Sequence, residues 1–361
     1  MITIRKSQYY DLNTKLTYCS NDDIKNMLNE QKTKTIGYGT NKIITVDGVK
    51  IFTKTIPLTE FFYKNYMDTS NLYDLPMHYN YGIGSAGNNP WREVSMHVKT
   101  TNWVLNDKIP NFPLLYHFRV IKNKSKKCSK TNPEYKWTMN RWNNDKKIEK
   151  YFIDRCETPY TIVLFLEYIP DVLIEYWNTI DYYEEYMTQF PKIVDYLSQN
   201  NILHMDSHAG NYLVGTDGML YLTDFGLTID KEFNLSKNEI KFVDANNTYD
   251  FVLSIYSVFN AVMSKILITQ NYKKLCTMGF ELSDKPDTED GYDYNIKYLL
   301  ENKIIFNNIV NILNVDNVLI KMINDDHDII LEYHNFRQKS VQLVDKSLID
   351  YPNKKLIKMI N

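Results

Sequence analysis

The sequence predicts an α+β fold, in which an antiparallel, β-rich first part precedes a mainly helical second part. In the first part, Lys42–Val46 and Val49–Ile56 are rich in β-branched residues and are separated only by Asp47-Gly48. An Asp-Gly link of two residues indicates a hairpin, because both of its central positions require positive φ. The second part shows apolar residues at helical spacing, over Phe251–Ile268, Tyr298–Leu313 and Ile329–Val344.

The remaining elements follow from local signals along the chain. The capping sequence Ser20-Asn21-Asp22 predicts one short helix in an N-terminal extension of residues 1–33. Residues 58–90 are aromatic and turn-rich, and a helix is predicted to begin near Pro90, because proline suits the first turn of a helix. Residues 122–150 are rich in Lys and Asn and poorly periodic, which predicts a solvated loop. Strands are also predicted at Phe112–Ile121, Tyr160–Ile169, Tyr212–Val214 and Met219–Thr223, and a helix within 180–200.

Composition and charge argue against several classes of protein. The 361 residues carry a formal net charge of -2 at pH 7, which gives no indication of a nucleic-acid partner or of an anionic membrane surface. The four cysteines are scattered and form no CxxC pair, so the sequence predicts neither a zinc cluster nor a disulfide framework. The apolar run Thr161–Ile169 is too short to span a bilayer, and the first residues contain no apolar signal segment. We therefore expect a cytoplasmic protein without a membrane span.

The residues that indicate chemistry lie between His204 and Gly226. This stretch contains HMDSHAGN, which ends at Asn211, and then TDFG, which contains Asp224. Transfer of a phosphoryl group depends on positioning and charge neutralisation rather than on covalent help from the protein. It requires a carboxylate that orients the incoming hydroxyl, and hard oxygen ligands that hold Mg²⁺ against the phosphates. Asp206, Asn211 and Asp224 supply these groups, and the predicted order of loop and hairpin lets them converge.

These motifs resemble the catalytic and metal-binding loops of the protein-kinase superfamily, in the same order and at the usual intervals. The resemblance implies that Asp206 is the catalytic carboxylate and that Asn211 and Asp224 hold magnesium. It also implies a bilobal fold, with a small antiparallel N-lobe over 34–168 that contains one helix, and a larger helical C-lobe over 169–361. The turn-rich segment and the predicted solvated loop would be inserts in this N-lobe.

The resemblance extends upstream to residues that would bind ATP. Lys54, on the second strand of the hairpin, resembles the lysine that pairs with the α- and β-phosphates in that family. Its acidic partner would be Glu93 or, nearer in sequence, Glu60, and we favour Glu93 because it lies on the better-defined helix. The segment Gly37-Tyr38-Gly39 resembles the start of the family's glycine-rich loop, although Lys42 occupies the place of the third glycine.

Three further positions follow from the resemblance. The segment from Glu167 to Ile169 corresponds to the link between the lobes, where the backbone reads adenine. His204 would hold the catalytic loop by packing and hydrogen bonding rather than take part in the reaction. Asp250 either braces the catalytic loop or simply places a negative charge at the start of a helix.

Two departures from ordinary protein kinases leave the acceptor open. His208, two residues after the catalytic carboxylate, resembles the aminoglycoside and choline phosphotransferases and the ubiquinone-biosynthesis kinase-like proteins, and no APE motif follows Gly226. We expect an ATP- and Mg²⁺-dependent kinase that phosphorylates Ser or Thr hydroxyls of a protein. The alternatives are a kinase for a small hydroxylated molecule, such as an aminoglycoside, choline or a sugar, and a pseudokinase that binds nucleotide as a scaffold. Transfer of AMP in place of phosphate is a further variant.

Overall fold

The structure is a computed structural model of the chain. It describes residues 2–30, 41–81, 83–85, 87, 89–176, 180–268, 270–283, 288–313, 321–322, 325–342 and 350–360. The expected α+β class is confirmed, since a small antiparallel sheet in the first part of the chain is followed by a mostly helical second part. The predicted glycine segment Gly37-Tyr38-Gly39 lies outside the described residues.

Four antiparallel strands form the main sheet. They are β1 (Lys42–Val46), β2 (Val49–Leu58), β3 (Leu115–Lys122) and β4 (Tyr160–Glu167), in the spatial order β1-β2-β4-β3. The predicted hairpin is confirmed, because Asp47 and Gly48 have φ values of 49° and 82° and Val46 pairs with Val49. β4 lies between two neighbours, and its inner residues 162–166 are buried, which agrees with its near-continuous apolar sequence.

In the described part of the chain, five short strands flank two polar stretches, 204–211 and 223–228. These strands are β5 (Asp171–Val172), β6 (Ile202–Leu203), β7 (Tyr212–Val214), β8 (Leu220–Leu222) and β9 (Ile229–Asp230). β7 pairs with β5 and β8, while β6 pairs with β9. The stretches 204–211 and 223–228 therefore run side by side, and the amide of Thr223 donates to the backbone oxygen of Asn211 at 3.0 Å.

Helices make up most of the rest of the described chain. They are α1 (Ile2–Tyr18), α2 (Asn21–Glu30), α3 (Glu60–Lys64), α4 (Met77–Asn80), α5 (Pro90–Leu105), α6 (Pro133–Arg141), α7 (Lys146–Glu157), α8 (Leu173–Tyr176), α9 (Ile180–Gln199), α10 (Lys237–Ala245), α11 (Tyr249–Ile268), α12 (Gln270–Thr277), α13 (Glu289–Glu301), α14 (Lys303–Leu313), α15 (His327–Gln342) and α16 (Asn353–Ile360). The helix predicted near Pro90 is confirmed as α5, and Asn89 caps it by accepting from the amide of Trp91. Within the described residues, no helix has the length and apolar character needed to cross a bilayer.

Two apolar clusters hold these elements together. The smaller cluster lies between the main sheet, α5 and α7, around Trp91 and Ile148. The larger cluster joins α1 and the sheet to the helices of the second part, and it includes Leu16 and Phe225. Phe225 directly follows Asp224, and its ring centroid lies 5.3 Å from that of His204. The apolar core therefore anchors the two polar stretches at their adjoining residues.

The solvated loop expected over residues 122–150 is present only in its first part, where 123–132 are irregular and mostly exposed. The rest of the segment contains α6 and the start of α7, whose first turns are capped by the side chains of Asn132 and Asp145. Met139 and Ile148 are buried in the smaller cluster. The many Lys and Asn residues occupy the exposed loop and the exposed faces of these short helices, and the apolar positions between them are too few to show a clear period.

The ends of the chain also differ from the expected elements. One helix was expected in the first residues, but α1 precedes α2 there and packs on β3, with Leu12 and Leu16 buried. The single helix expected over Tyr298–Leu313 is divided into α13 and α14, because Asn302 ends α13 with a non-helical backbone. The first difference therefore shows that residues 2–18 are packed into the fold, and the second concerns only where one helix ends.

Candidate active site

The stretch between β6 and β7 is held by the first turn of α11. The carboxylate of Asp250 accepts hydrogen bonds from the amides of His204 at 2.6 Å and Met205 at 2.8 Å. The hydroxyl of Ser207 donates to the backbone oxygen of Asp250 at 2.8 Å. His204 in turn places its Nε2 3.0 Å from the backbone oxygen of Thr223, which precedes Asp224. Asp250 thus braces the loop directly, and His204 ties the loop to the neighbouring stretch.

The carboxylate of Asp206 is held by Asn211 and lies beside His208. Nδ2 of Asn211 donates to Oδ2 of Asp206 at 3.0 Å and to the backbone oxygen of Asp206 at 2.8 Å. Nε2 of His208 lies 3.6 Å from the other oxygen, Oδ1. Because Nδ1 of His208 accepts from the amide of Gly210 at 3.0 Å, the imidazole ring is fixed with Nε2 towards Asp206. Burial raises the pKa of Asp206.

Lys54 joins the main sheet to α5 and to the stretch after β8. Its ammonium nitrogen lies 2.6 Å from Oε1 of Glu93 and 2.7 Å from Oδ1 of Asp224. Glu60, the nearer acid in sequence, pairs instead with Lys64 on the surface at 3.2 Å. The acid that the structure brings to Lys54 is therefore Glu93, on the helix that the sequence favoured.

The protonation states of Lys54, Asp224 and Glu93 depend on the contacts among these three side chains and on their burial. Burial by itself would lower the pKa of Lys54, but the carboxylates of Asp224 and Glu93 outweigh it and raise that pKa. Burial would raise the pKa of Asp224, but the ammonium at 2.7 Å dominates and lowers it to about 2. Burial raises the pKa of Glu93, against the influence of Lys54. At neutral pH, Lys54 is therefore an ammonium and Asp224 a carboxylate.

The backbone around Asp224 is sharply turned and closely packed. Asp224 has φ 66° and ψ 71°, a left-handed conformation that Asp tolerates better than most residues. Gly87 also has positive φ, and a Cβ atom there would lie 3.0 Å from the backbone oxygen of Gly226. Glycine at position 87 therefore lets the chain approach the turn after Asp224 without a clash.

Two side-chain oxygens at the site fit a magnesium ion. Because Asn211 uses its Nδ2 towards Asp206, its Oδ1 faces away and accepts from no described group. Oδ2 of Asp224 likewise has no described donor, since Lys54 and Gly226 both bond to Oδ1. Mg²⁺ commonly takes one or two protein ligands together with substrate phosphates and water, so these two oxygens are a sufficient protein contribution for that ion.

A cavity of about 260 Å³ lies between the main sheet and the polar stretches. Apolar side chains and the backbone after β4 form one end, and the polar groups form the other, with Phe52, Leu166, Ile169, Leu213, Asn211 and Asp224 among its walls. An apolar slot that ends at charged groups suits a flat ring with a charged chain attached.

The side chain of Glu167 is already engaged at this cavity. Arg5 of α1 forms a bidentate ion pair with it, with nitrogen–oxygen distances of 2.8 Å and 2.8 Å. Arg5 also donates to the backbone oxygen of Phe112 at 2.7 Å. The backbone amide of Glu167 donates to the backbone oxygen of Leu114 at 2.8 Å, so Glu167 can offer a ligand mainly its backbone oxygen, and a backbone contact is what the sequence assigned to it. Arg5 was not foreseen, because nothing in the local sequence relates it to Glu167.

A second, larger cavity of about 1020 Å³ shares Asn41, Lys54 and Asp224 with the first. It runs between β2, α5, α6 and α7, and two further cations, Lys126 and Arg155, line it. The two cavities are contiguous at Lys54, so a charged chain that leaves the apolar slot meets three cationic side chains. The contribution of Lys126 was missed because its segment was expected to be only a solvated loop, and that of Arg155 because nothing in the local sequence relates it to Lys54.

Comparison with known proteins does not assign this chain to a family. Its sequence matches no protein-family model and no curated protein.

Proposed function

We propose that this chain is an ATP- and Mg²⁺-dependent phosphotransferase with a bilobal, protein-kinase-like fold, which transfers the γ-phosphate of ATP to a hydroxyl group. The observation that carries the proposal is the convergence of Lys54, Glu93 and Asp224 on one cleft with Asp206 and Asn211. Lys54 and Asp224 are 170 positions apart in sequence. The proposal covers both acceptor classes, a Ser or Thr side chain of a protein and a small alcohol.

Each residue has a defined part in this reaction. The adenine ring would occupy the apolar slot, with the phosphates directed towards Lys54. Asn211 Oδ1 and the carboxylate of Asp224 would hold Mg²⁺, which when bound neutralises charge on the phosphates. Asp206 orients the acceptor hydroxyl and takes its proton while the oxygen attacks the γ-phosphorus and ADP leaves. The raised pKa of Asp206 makes its carboxylate a stronger base for this task.

The charge of the site supports a requirement for a divalent cation. Beside Asn211, the carboxylates of Asp224 and Asp206 share the ammonium of Lys54, because Lys126 and Arg155 line the larger cavity, whose described walls do not include Asp206 or Asn211. A triphosphate that approaches these carboxylates is repelled unless a cation lies between them. The two unengaged oxygens of Asn211 and Asp224 supply ligands for that cation.

The test is a comparison of Asp206→Asn with the unmodified protein. Label from γ-labelled ATP is followed into added proteins and small alcohols with Mg²⁺ present, and ATP affinity is measured separately. We expect transfer to fall by about 10² to 10⁴-fold, the usual contribution of a general base, with little change in ATP affinity. Asp195→Asn, an exposed aspartate on α9, is the matched control and should transfer normally.

Two results would contradict the proposal. If Asp206→Asn transferred label as fast as the unmodified protein, Asp206 would not be the base. If the unmodified protein bound ATP with Mg²⁺ but labelled neither proteins nor alcohols, the chain would be a nucleotide-binding scaffold.

A further inference from the structure

We propose that the acceptor is a small, uncharged, ring-bearing alcohol, which binds in a separate cavity of about 410 Å³ beside Asp206. This inference rests on the proposed function and names its substrate class. The cavity lies between the loop that carries Asp206 and His208, the helix α11 and the helix α15. Its described walls include neither Lys54 nor Asp224, and of the residues that line the two cavities assigned to ATP it shares only Gly210, on the catalytic loop.

The length of this cavity follows from α11. Ser257 lines the end next to the catalytic loop, because its hydroxyl accepts from the amide of Ala209 at 2.9 Å. Ser264 lines the same cavity two turns further along the helix, which corresponds to about 10 Å at 1.5 Å per residue. The volume lies in the range of pockets that enclose most of a small ligand. A Ser or Thr side chain of a protein would fill only a small part of it.

The walls present ring faces rather than free hydroxyl groups. Tyr333 donates to the hydroxyl of Tyr249 at 3.3 Å, and the hydroxyl of Tyr256 lies 3.0 Å from Nδ1 of His334. The rings of Tyr256 and Tyr333 pack with their centroids 4.9 Å apart. Because these hydroxyls are occupied by each other or by His334, the tyrosines offer the cavity mainly aromatic surface. Such surface favours a ligand with an apolar or aromatic ring.

Two polar groups in the walls can select a neutral alcohol. The hydroxyl of Tyr292 donates to the backbone oxygen and to Oδ1 of Asn260, at 3.1 Å from each, and Nδ2 of Asn260 has no described acceptor. This N–H group can donate to an oxygen of the ligand. Arg337 is paired with Asp293 at 2.9 Å, so its charge is already compensated. In the described part of the lining, Asp206 is the one carboxylate, and the reaction uses it. The cavity therefore offers no further uncompensated charge that would bind a polycation or a polyanion.

The decisive experiment measures binding without turnover. The protein is saturated with a non-hydrolysable ATP analogue and Mg²⁺, and uncharged nucleosides, methyl glycosides and cyclic alcohols are screened by saturation-transfer NMR. Ser264→Phe should abolish the signal of the bound compounds, because the ring fills the far end of the cavity. Ser198→Phe, which adds the same ring on the exposed face of α9, should leave the signal unchanged. Affinity for the ATP analogue should be the same in both variants.

A second variant keeps the inference testable if Ser264→Phe fails to fold. Asn260→Ala removes the Nδ2 donor without adding volume, and it should weaken binding of the same compounds about 5-fold, as expected for one neutral hydrogen bond. If no compound of the panel binds, or if Ser264→Phe and Asn260→Ala both bind them normally, the inference is overturned.

The same panel also separates this inference from the proposed function. With γ-labelled ATP and Mg²⁺, we expect label to enter compounds of the panel but not kanamycin, a polycation, or a mixture of unphosphorylated proteins. Label that enters only proteins, and is insensitive to Ser264→Phe, would overturn the inference and leave the phosphotransferase intact. Binding of panel compounds at the cavity without any transfer would support the cavity and contradict the phosphotransferase.

Discussion

The buried ion pair between Arg92 and Glu239 gives a prediction whose size can be worked from the structure. Nη2 of Arg92 lies 2.8 Å from Oε1 of Glu239, and the two side chains are 2% and 1% exposed. Arg92 also donates from Nε to the backbone oxygen of Thr69 at 2.7 Å. The change to test is Arg92→Met, which keeps much of the side-chain volume and removes the charge.

The expected loss is about 3 kcal/mol in the free energy of unfolding at pH 7. Removal of one partner from a buried ion pair typically costs about 3 to 5 kcal/mol, because the other charge is left buried and unpaired. The loss should fall at the lower end because Glu239 keeps two donors. These are the hydroxyl of Tyr81 at 2.8 Å and the amide of Ser236 at 2.9 Å.

The effect also has a defined dependence on pH. Burial would raise the pKa of Glu239, but Arg92 outweighs it and lowers that pKa below its usual value of 4.5. The stabilisation from this carboxylate is therefore complete above pH 4.5 and is lost as the pH falls through the lowered pKa. In Arg92→Met the same carboxyl group takes up a proton more readily, so the difference between the two proteins should narrow as the pH falls from 7 towards 4.

The measurement is unfolding in urea at several pH values, with the slope against denaturant checked for each protein. Lys64→Met is the matched control, because it removes a cation from the exposed pair with Glu60, whose side chains are 68% and 65% exposed. That change should alter the free energy of unfolding by less than about 1 kcal/mol. If Arg92→Met differed from the unmodified protein by no more than this control, or by the same amount at every pH, the argument from buried charge would be wrong.

Two further predictions concern the nucleotide site. Arg5→Met removes the bidentate partner of Glu167, whose side chain lies largely buried beside the apolar slot. The free energy of unfolding in urea should fall by about 3 kcal/mol, and ATP binding measured by titration should weaken. Unchanged ATP affinity would show that α1 does not shape the slot. Lys54→Met should reduce phosphate transfer by about 10² to 10³-fold. It should also raise the pKa of Asp224 above about 2, because burial is then opposed by weaker partners than the ammonium of Lys54, and carbon-13 NMR of the aspartate carboxyl groups would detect the shift.

Much of the site could be predicted because its signals are local. Asp206 and Asn211 are five positions apart on one loop, and Asp224 follows a hairpin that returns to the same place. The hairpin of β1 and β2 was likewise predictable, since Asp47-Gly48 satisfies a backbone requirement that few other pairs meet. Where a short stretch of chain determines its own geometry, that geometry can be predicted from the sequence.

The features that were missed depend on partners far along the chain. Arg5 and Glu167 are 162 positions apart, and Arg92 and Glu239 are 147 positions apart. In the sequence each of these four residues is an ordinary charged side chain, and only folding brings them together in places from which water is excluded. The helices α6 and α7 were missed for a different reason: their buried positions are few, and local propensity was dominated by the exposed Lys and Asn residues.

The position of Arg92 suggests why a charged pair occupies this buried place. Arg92 and Glu93 are consecutive on α5, so their side chains point about 100° apart, one towards Glu239 and α10 and the other towards Lys54. A buried ion pair is a weak source of net stability, because apolar residues of similar volume often serve as well. We infer that the pair adds a fixed rotation of α5, on which the contact between Glu93 and Lys54 depends. The double variant Arg92→Met with Glu239→Leu separates these roles: unfolding free energy should return towards that of the unmodified protein while phosphate transfer stays low, and recovery of both would mean that apolar packing alone orients the helix.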